Sequence, residues 1–269
     1  MMNGQLRRAV RRGSLGSDET KSFFVTDATG GGPSVEIERL APENGSQRVA
    51  LVHSGPGDSV AENGKRGAAL EGDVRQVSVV MADLRGFTTF CERVPPGRMS
   101  RVLNEYLTAM VDVILGQQGR VQDFVGDGIL GVFGAPGRDP DHAWHAALTA
   151  LEMQVAIRRL GGQWEQEGEP SFALGVAVHT GEVFAGAVGS PRQSKYAVVG
   201  DPVNTVARLE ELNRNLGTEI VISGDALALV RDRVDVHPRG SFAVRGRSHD
   251  VEVFELLGVQ RAPQHLRAS

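Results

Sequence analysis

The sequence predicts an α+β domain in which helices pack on a largely antiparallel sheet. Apolar residues recur without a long break from Gln76 to about Leu257, and a segment of roughly 180 residues is long enough for one core. Strand-like and helix-like segments alternate along it, yet some neighbouring strands are joined by short turns instead of helices. Alternation interrupted by hairpins is typical of a mixed fold.

Residues 1–70 differ in composition from the rest of the chain. They are rich in Gly, Ser, Asn and Glu, begin with clustered arginines and hold only short apolar patches. Such a composition buries little surface, so we expect a flexible or weakly structured extension with one weak hairpin near residues 34–53. We expect the folded domain at residues 73–258 and a C-terminal tail at 259–269. An alternative hypothesis makes the first 70 residues an interaction module.

Charge and composition exclude several classes of function. The formal net charge is −4 with the basic residues spread out, so we expect no nucleic-acid partner and no anionic membrane surface as partner. No apolar run approaches the roughly 20 residues that cross a bilayer. The single cysteine, Cys91, has no partner for an internal disulfide and is predicted to be a packing residue on a helix. We therefore expect a cytoplasmic protein.

The first elements of the domain follow from apolar spacing and proline. Gln76–Met81 is predicted to be a central strand, followed by a loop at Leu84–Thr88 of a size that suits phosphate. Pro95 and Pro96 then introduce a helix that ends by Gly119. Its apolar positions recur at helical spacing: Met99, Val102, Leu103, Tyr106, Met110, Val113 and Ile114.

A hairpin and a second long helix come next. Residues 120–133 are predicted to form two strands around a tight turn at Asp127. Asp139 and Pro140 resemble an N-cap and first-turn pair, opening a helix that stops near Gly161. Its core face is predicted to contain Trp144, Leu148, Leu151 and Val155.

The last third contains strands and one further helix. FALGVAVHTGEVFAGAVG is predicted to be two apolar strands with a bend at His179–Glu182, followed by a strand at Tyr196–Val199. Asp201 and Pro202 repeat the cap-plus-proline pattern and start a helix immediately after that strand. Two late strands are expected, near residues 234–244 and 250–257.

Two aspartates are placed where buried strands end. Asp83 follows a fully apolar run, and Asp127 lies between two glycines in the hairpin turn. Paired carboxylates at such positions are a common way to hold divalent metal ions for phosphate chemistry. An aspartate there is also typical of a plain turn or a helix cap, and the sequence leaves that alternative open.

Asn204 and Arg208 lie four residues apart on the helix that starts after Asp201. Side chains at this spacing leave the same face of a helix. Together with the two aspartates, they suggest a site for a nucleotide phosphate.

Four motifs in order resemble the catalytic domain of class III nucleotidyl cyclases, the adenylate and guanylate cyclase family. The motifs are ADLRGFT, FVGDGILGVFG, VHTGEVFAGAVGS and YAVVGDPVNTVARLEE. Each glycine-rich piece is weak alone, but their order over about residues 73–258 is specific. The resemblance implies a ferredoxin-like or palm-type fold whose active site lies between two subunits of a head-to-tail homodimer.

The resemblance also implies a role for each site residue. Asp83, Leu84 and Asp127 of one subunit hold two Mg²⁺ or Mn²⁺ ions. Asn204 and Arg208 of the other subunit orient the ribose and stabilise charge at the α-phosphate. The triphosphate is received around Gly86, Phe87 and Thr88 and by Arg245, which stands where the family has a phosphate-binding lysine. An alternative for Arg245 is a solvent-facing strand residue.

The positions that recognise the base depart from the family pattern. Adenylate cyclases usually have Lys where this chain has Asp123, and Asp or Thr where it has Ala197. An ionised Asp123 only accepts hydrogen bonds, so it suits the adenine amino group or guanine N1 and N2, and Ala197 offers no side-chain hydrogen bond. We expect conversion of ATP to 3′,5′-cyclic AMP and pyrophosphate, with a guanylate cyclase as the first alternative.

Two further alternatives belong to other classes. A non-catalytic nucleotide-binding regulator would be favoured by loss of a metal aspartate, the asparagine or the arginine, and all of these are present. A diguanylate cyclase or a polymerase palm shares the paired carboxylates. It would carry a GGDEF-like hairpin or lack the NxxxR helix, whereas this hairpin is VGDGI.

Overall fold

A computed structural model describes residues 24–25, 34–43, 46–54, 70–190, 193–244, 247 and 249–260. The chain divides into two compact units. The first contains residues 1–75 and 184–199, and the second contains residues 76–183 and 200–269. Two long strands, β4 (Leu70–Arg85) and β7 (Ala173–Ser190), have a part in each unit.

The described residues of the first unit form antiparallel strands. β1 (Phe24–Val25), β2 (Ser34–Glu43) and β3 (Ser46–Ser54) pair in sequence, and β3 pairs with the start of β4. The end of β7 pairs with β8 (Gln193–Val199). The hairpin predicted near residues 34–53 corresponds to β2 and β3. The structure does not describe the residues on which the remaining expectations for 1–70 fall. The same holds for residues 261–269 of the C-terminal tail.

The second unit holds a mixed sheet. Its strands lie in the order β5 (Arg120–Val125), β6 (Gly128–Phe133), β4, β7, β9 (Ile220–Ser223), β11 (Val251–Val259) and β10 (Val234–Phe242). β5–β6, β6–β4, β9–β11 and β11–β10 are antiparallel, and β7–β9 is parallel. This confirms the predicted α+β class.

The described residues of the second unit form five helices: α1 (Phe87–Cys91), α2 (Pro96–Gly116), α3 (His142–Gln166), α4 (Asp201–Leu216) and α5 (Gly224–Leu227). α2 begins at the predicted proline and buries Val102, Tyr106, Met110 and Ile114. Cys91 is partly buried against the same core, as predicted. Within the described residues, no helix is long and apolar enough to span a membrane.

The helices cover both faces of the sheet. Val176 and Val178 of β7 belong to the core that also contains the buried residues of α2 and α3. Gly175 of the same strand faces Glu210 of α4. Because successive strand residues point to opposite faces, α4 lies on the other face from α2 and α3.

Two predicted connections are wrong. The loop expected at Leu84–Thr88 does not form, because β4 continues to Arg85 and α1 starts at Phe87; Gly86 alone makes the turn, with φ 85°. The bend expected at His179–Glu182 does not form either, because β7 is continuous. His179 and Thr180 are buried and hydrogen-bonded to Ser223 and Ser78, so their polarity reflects interior partners.

The predicted limits of α3 are also wrong, and its predicted core face is only partly right: Trp144 and Leu151 pack against the core, but Val155 does not. The helix starts at His142 after an N-cap at Asp141, and it continues to Gln166 instead of stopping near Gly161. Val155 is 64% exposed, whereas Ala146, Ala147 and Ala150 are fully buried. The centre of the core face is thus formed by small alanines, which a search for large apolar side chains did not find. The sequence prediction also missed β9 and α5.

Candidate active site

The end of β4 presents Asp83 at the border of the interior. Its neighbours Ala82 and Leu84 are buried, and the Asp83 side chain is 22% exposed. Strand alternation thus turns the carboxylate away from the core that holds Ala82 and Leu84. The Leu84 side chain is buried and has no atom that can bind a metal, so this residue can offer only its main-chain carbonyl oxygen.

The β5–β6 hairpin brings Asp127 to the same place. Ala82 pairs with Ile129, so the residue after Ala82 and the residues before Ile129 lie at one end of the two strands. Gly126 adopts φ 66° in the turn, a left-handed conformation that favours glycine, and this permits the two-residue connection. The two aspartates are therefore neighbours, as the sequence predicted.

Their proximity appears in the electrostatics of Asp83. Its pKa is raised to about 6, first by burial and then by the neighbouring Asp127, while Arg214 acts in the opposite direction. Like charges forced together in a half-buried site are stabilised by a bound cation, so the residues present suit a divalent metal. Among the described residues, no group of three or more His, Cys, Asp or Glu side chains is placed so that it could hold a metal ion. The protein's carboxylate ligands would be these two.

Two residues of α4 that the sequence interpretation overlooked also face this site. Arg214 donates a hydrogen bond to Asp83 Oδ2 at 3.2 Å. Glu210, one helical turn earlier, is 5% exposed, and its pKa is raised to about 7 by burial and then by Asp83, with Arg214 and Arg85 opposing. Their four-residue spacing was a visible indication that they share a face.

A glycine makes room for the Glu210 carboxylate. A Cβ on Gly175 would lie 2.4 Å from Glu210 Oε1 and 3.3 Å from Arg85 Nη2. Arg85 also donates to the carbonyl oxygen of Thr218. The side chains of Arg85 on β4 and Glu210 on α4 thus meet at Gly175 of β7. Arg85 lies two residues after Asp83 on the same strand.

Asn204 and Arg208 lie on a different face of α4. Arg208 precedes Arg214 by six residues, which is about 9 Å along the helix axis and about 120° around it. Arg208 is not among the charges that shift the pKa of Asp83. In the described part of the chain, neither Asn204 nor Arg208 has a side-chain hydrogen bond or an ion pair. Within one chain, Asn204 and Arg208 therefore lie away from the carboxylates of Asp83 and Asp127.

Arg247 holds the start of α4. Its guanidinium donates to Asp201 at 2.9 Å and to Asp225 at 3.3 Å, so it connects the first turn of α4 with α5. His179 lies nearby, fully buried, with Nδ1 2.8 Å from Ser223 Oγ. Burial, followed by the charge of Arg247, lowers the pKa of His179 to about 4. This imidazole is neutral at physiological pH.

The residues expected to bind substrate lie in several environments. Gly86 and Thr88 are exposed at the turn into α1, whereas the Phe87 side chain is in the core and leaves only its backbone for a ligand. Asp123 is exposed on β5, where its Oδ1 accepts from the Phe124 N–H at 3.1 Å. Ala197 is 5% exposed on β8 of the first unit, opposite Gly186. Arg245 lies outside the described residues.

Comparison with known proteins identifies the family. Residues 71–258 match the model of the adenylate and guanylate cyclase catalytic domain. Adenylate cyclase 1 of Rhizobium meliloti (strain 1021) is 31% identical over 188 residues, which are 70% of this chain and 28% of that protein. The chain thus spans less than a third of the length of this relative.

Two solved structures share the fold. The adenylyl cyclase CyaB from P. aeruginosa is 27% identical with a TM-score of 0.66, covering 71% of this chain and 98% of that one. The guanylyl cyclase Cya2 is 36% identical with a TM-score of 0.66, covering 72% of this chain and 97% of that one. The chain belongs to the class III adenylate and guanylate cyclase catalytic domain family.

Proposed function

We propose that this chain converts ATP to 3′,5′-cyclic AMP and pyrophosphate at a site shared by two copies of itself. The observation that carries the proposal is the adjacency of Asp83 and Asp127. Asn204 and Arg208 supply the remaining groups that the family implies, and both side chains are available on α4.

Each residue has a defined task in this reaction. Asp83 and Asp127 would hold two Mg²⁺ or Mn²⁺ ions, which would lower the pKa of the ribose 3′-hydroxyl and neutralise the phosphates. Asn204 orients the ribose so that the hydroxyl is in line with the α-phosphate. Arg208 places a fixed cation where negative charge develops as pyrophosphate leaves. Gly86, Phe87, Thr88 and Arg245 bind the triphosphate.

The geometry of α4 supports a homodimer. Its last turns contact Asp83 of the same chain, while Asn204 and Arg208 point elsewhere and lack partners among the described residues. In a head-to-tail pair, Asn204 and Arg208 of one copy meet the carboxylates of the other, and two equivalent sites form.

GTP is the second candidate substrate. Asp123 accepts hydrogen bonds only and suits guanine N1 and N2 as well as the adenine amino group. The guanylyl cyclase Cya2 is 36% identical over 72% of this chain, against 31% over 70% for the Rhizobium adenylate cyclase. ATP remains the first candidate because the relatives from Rhizobium meliloti and Anabaena cylindrica are both named adenylate cyclases.

The test is a chromatographic assay of the purified protein with ATP or GTP and Mn²⁺. We expect a cyclic monophosphate and pyrophosphate, no product with a chelator, and no product from Asp83→Ala or Arg208→Ala. Arg158→Gln is the matched control, because Arg158 pairs with Glu219 on the surface. A folded protein that makes no cyclic product from either nucleotide refutes the activity and favours a non-catalytic regulator.

Mixing the two inactive variants tests the shared site. Some heterodimers of Asp83→Ala with Arg208→Ala contain one site built from two undamaged halves, so activity should return. A mixture that exchanges subunits and stays as inactive as each variant alone refutes the shared site but leaves the reaction itself intact.

A further inference from the structure

The guanidinium of Arg214 occupies one oxygen of the proposed metal ligand Asp83. The distance from Arg214 Nη2 to Asp83 Oδ2 is 3.2 Å, and the Arg214 side chain is 59% exposed. Arg214 stands in the last helical turn of α4 and reaches across to β4, 131 residues away in sequence. A cation of the protein thus occupies a carboxylate oxygen that the proposed divalent metal ion would also need.

We propose that Arg214 competes with the divalent cation for Asp83 and thereby sets the metal affinity of the site. This rests on the proposed function, in which Asp83 is a metal ligand. Arg214 is a positioning residue, because it acts on the metal through Asp83 and contacts no reacting atom.

The alternatives to competition are less favourable. A guanidinium that stays beside Asp83 would repel a second cation at the same carboxylate, and this repulsion grows at a half-buried oxygen where water screens poorly. Moving Arg214 away costs little, because its side chain is long, largely exposed and free to extend into water. Displacement of Arg214 is therefore the expected route.

The surrounding charges explain why such a residue is present. Asp127 raises the pKa of Asp83, and Asp83 in turn raises the pKa of Glu210, so the three carboxylates lie close together. Arg214 opposes the pKa shifts of both Asp83 and Glu210, so it compensates two acids with one flexible side chain. Once a divalent ion compensates Asp83, Glu210 is left as the partner of Arg214, one helical turn away.

The test measures metal affinity without turnover. Mn²⁺ alone is titrated into the full-length wild-type protein and into Arg214→Gln, and binding is followed by calorimetry or by the electron paramagnetic resonance of free Mn²⁺. We expect Arg214→Gln to bind Mn²⁺ about twofold to fivefold more tightly, the range that follows from an exposed ion pair. Because exposed charges are screened, high salt should shrink the difference.

Arg158→Gln is the matched control for the loss of one positive charge. The Arg158 side chain is 60% exposed, similar to that of Arg214, but it pairs with Glu219. Arg158→Gln should leave Mn²⁺ affinity at the wild-type value, and circular dichroism should show both variants folded. Equal affinities of Arg214→Gln and wild type overturn the inference, as does equal tightening by Arg158→Gln.

Asp83→Ala separates this inference from the proposed function. If Asp83→Ala binds Mn²⁺ as tightly as wild type, Asp83 is not a ligand and the proposed metal site fails. If Asp83→Ala abolishes binding while Arg214→Gln changes nothing, the metal site stands and only the competition is wrong. Arg214→Ala provides a second variant on which tightening must also appear.

Discussion

The hydroxyl groups of Ser78 and Thr180 lie 2.6 Å apart in the interior and join β4 to β7. Ser78 Oγ is also 2.8 Å from His142 Nδ1 at the start of α3. All three side chains are buried. A short polar network thus fixes β4 five residues before Asp83, where the strand still lies between its neighbours.

Replacing Ser78 with alanine should remove this connection. The change leaves Thr180 and His142 buried with an unmet hydrogen bond, which costs about 1 to 3 kcal/mol of unfolding free energy. Urea denaturation of Ser78→Ala against wild type measures the loss. Ser100→Ala, on the exposed face of α2, is the control and should change stability by less than about 0.5 kcal/mol. A similarly small effect of Ser78→Ala would contradict the prediction.

The buried His179 should make stability depend on pH. Its pKa is lowered to about 4 by burial and Arg247, while Asp225 and Asp201 oppose the shift. Because the His179 imidazole binds a proton more readily in the unfolded chain, its contribution to stability is fully present above pH 6.5. That contribution is lost as the pH falls toward 4. The contribution of His179 should fall by about 1 kcal/mol between pH 7 and pH 5.5.

His179→Gln isolates this contribution. Urea midpoints of wild type and variant are compared at the two pH values, and the difference between them should shrink as the pH falls. Other titrating groups are common to both proteins and cancel. A difference that stays constant from pH 7 to pH 5.5 would show that His179 does not titrate as its environment indicates.

Loss of Arg247 should affect catalysis more than stability. Arg247→Gln removes exposed ion pairs to Asp201 and Asp225, which cost less than about 1 kcal/mol of stability. The same bonds hold the first turn of α4, where Asn204 lies, and a small misplacement of a substrate-binding group costs about tenfold in kcat/KM or more. Arg239→Gln, which breaks a pair with Glu255 on β10 and β11, is the control. Equal kcat/KM for the two variants would count against a positioning role.

The base preference should follow positions 123 and 197. In Asp123→Lys combined with Ala197→Asp, the lysine donates to adenine N1 and the new carboxylate accepts from the adenine amino group. Guanine meets a cation opposite its N1 donor, so the ratio of kcat/KM for ATP to that for GTP should rise about tenfold or more. Both absolute values should fall, because Ala197 is buried and an added carboxylate must be accommodated. An unchanged ratio in an active double variant would place base selection elsewhere.

Much of the fold follows from local pattern. The hairpin around Asp127, the proline start of α2 and the common face of Asn204 and Arg208 each depend on residues close in sequence. The errors occur where distant partners decide. In the sequence, the polar residues His179 and Thr180 are typical of a bend, but in the fold they are hydrogen-bonded to Ser223 and Ser78. Arg214 is typical of a surface residue, and only the fold shows that it contacts Asp83 of β4.

The sixteen residues of α4 include two sets of side chains, Asn204 with Arg208 and Glu210 with Arg214. The angle between the two sets around the helix axis depends only on how many residues separate them. Adding or deleting one residue between Arg208 and Arg214 would rotate one set against the other by about 100°. If Arg214 still faced Asp83, Asn204 and Arg208 would turn away from the proposed partner copy. If Asn204 and Arg208 kept their direction, Arg214 would turn away from Asp83. The number of residues between Arg208 and Arg214 is therefore constrained in addition to their identities.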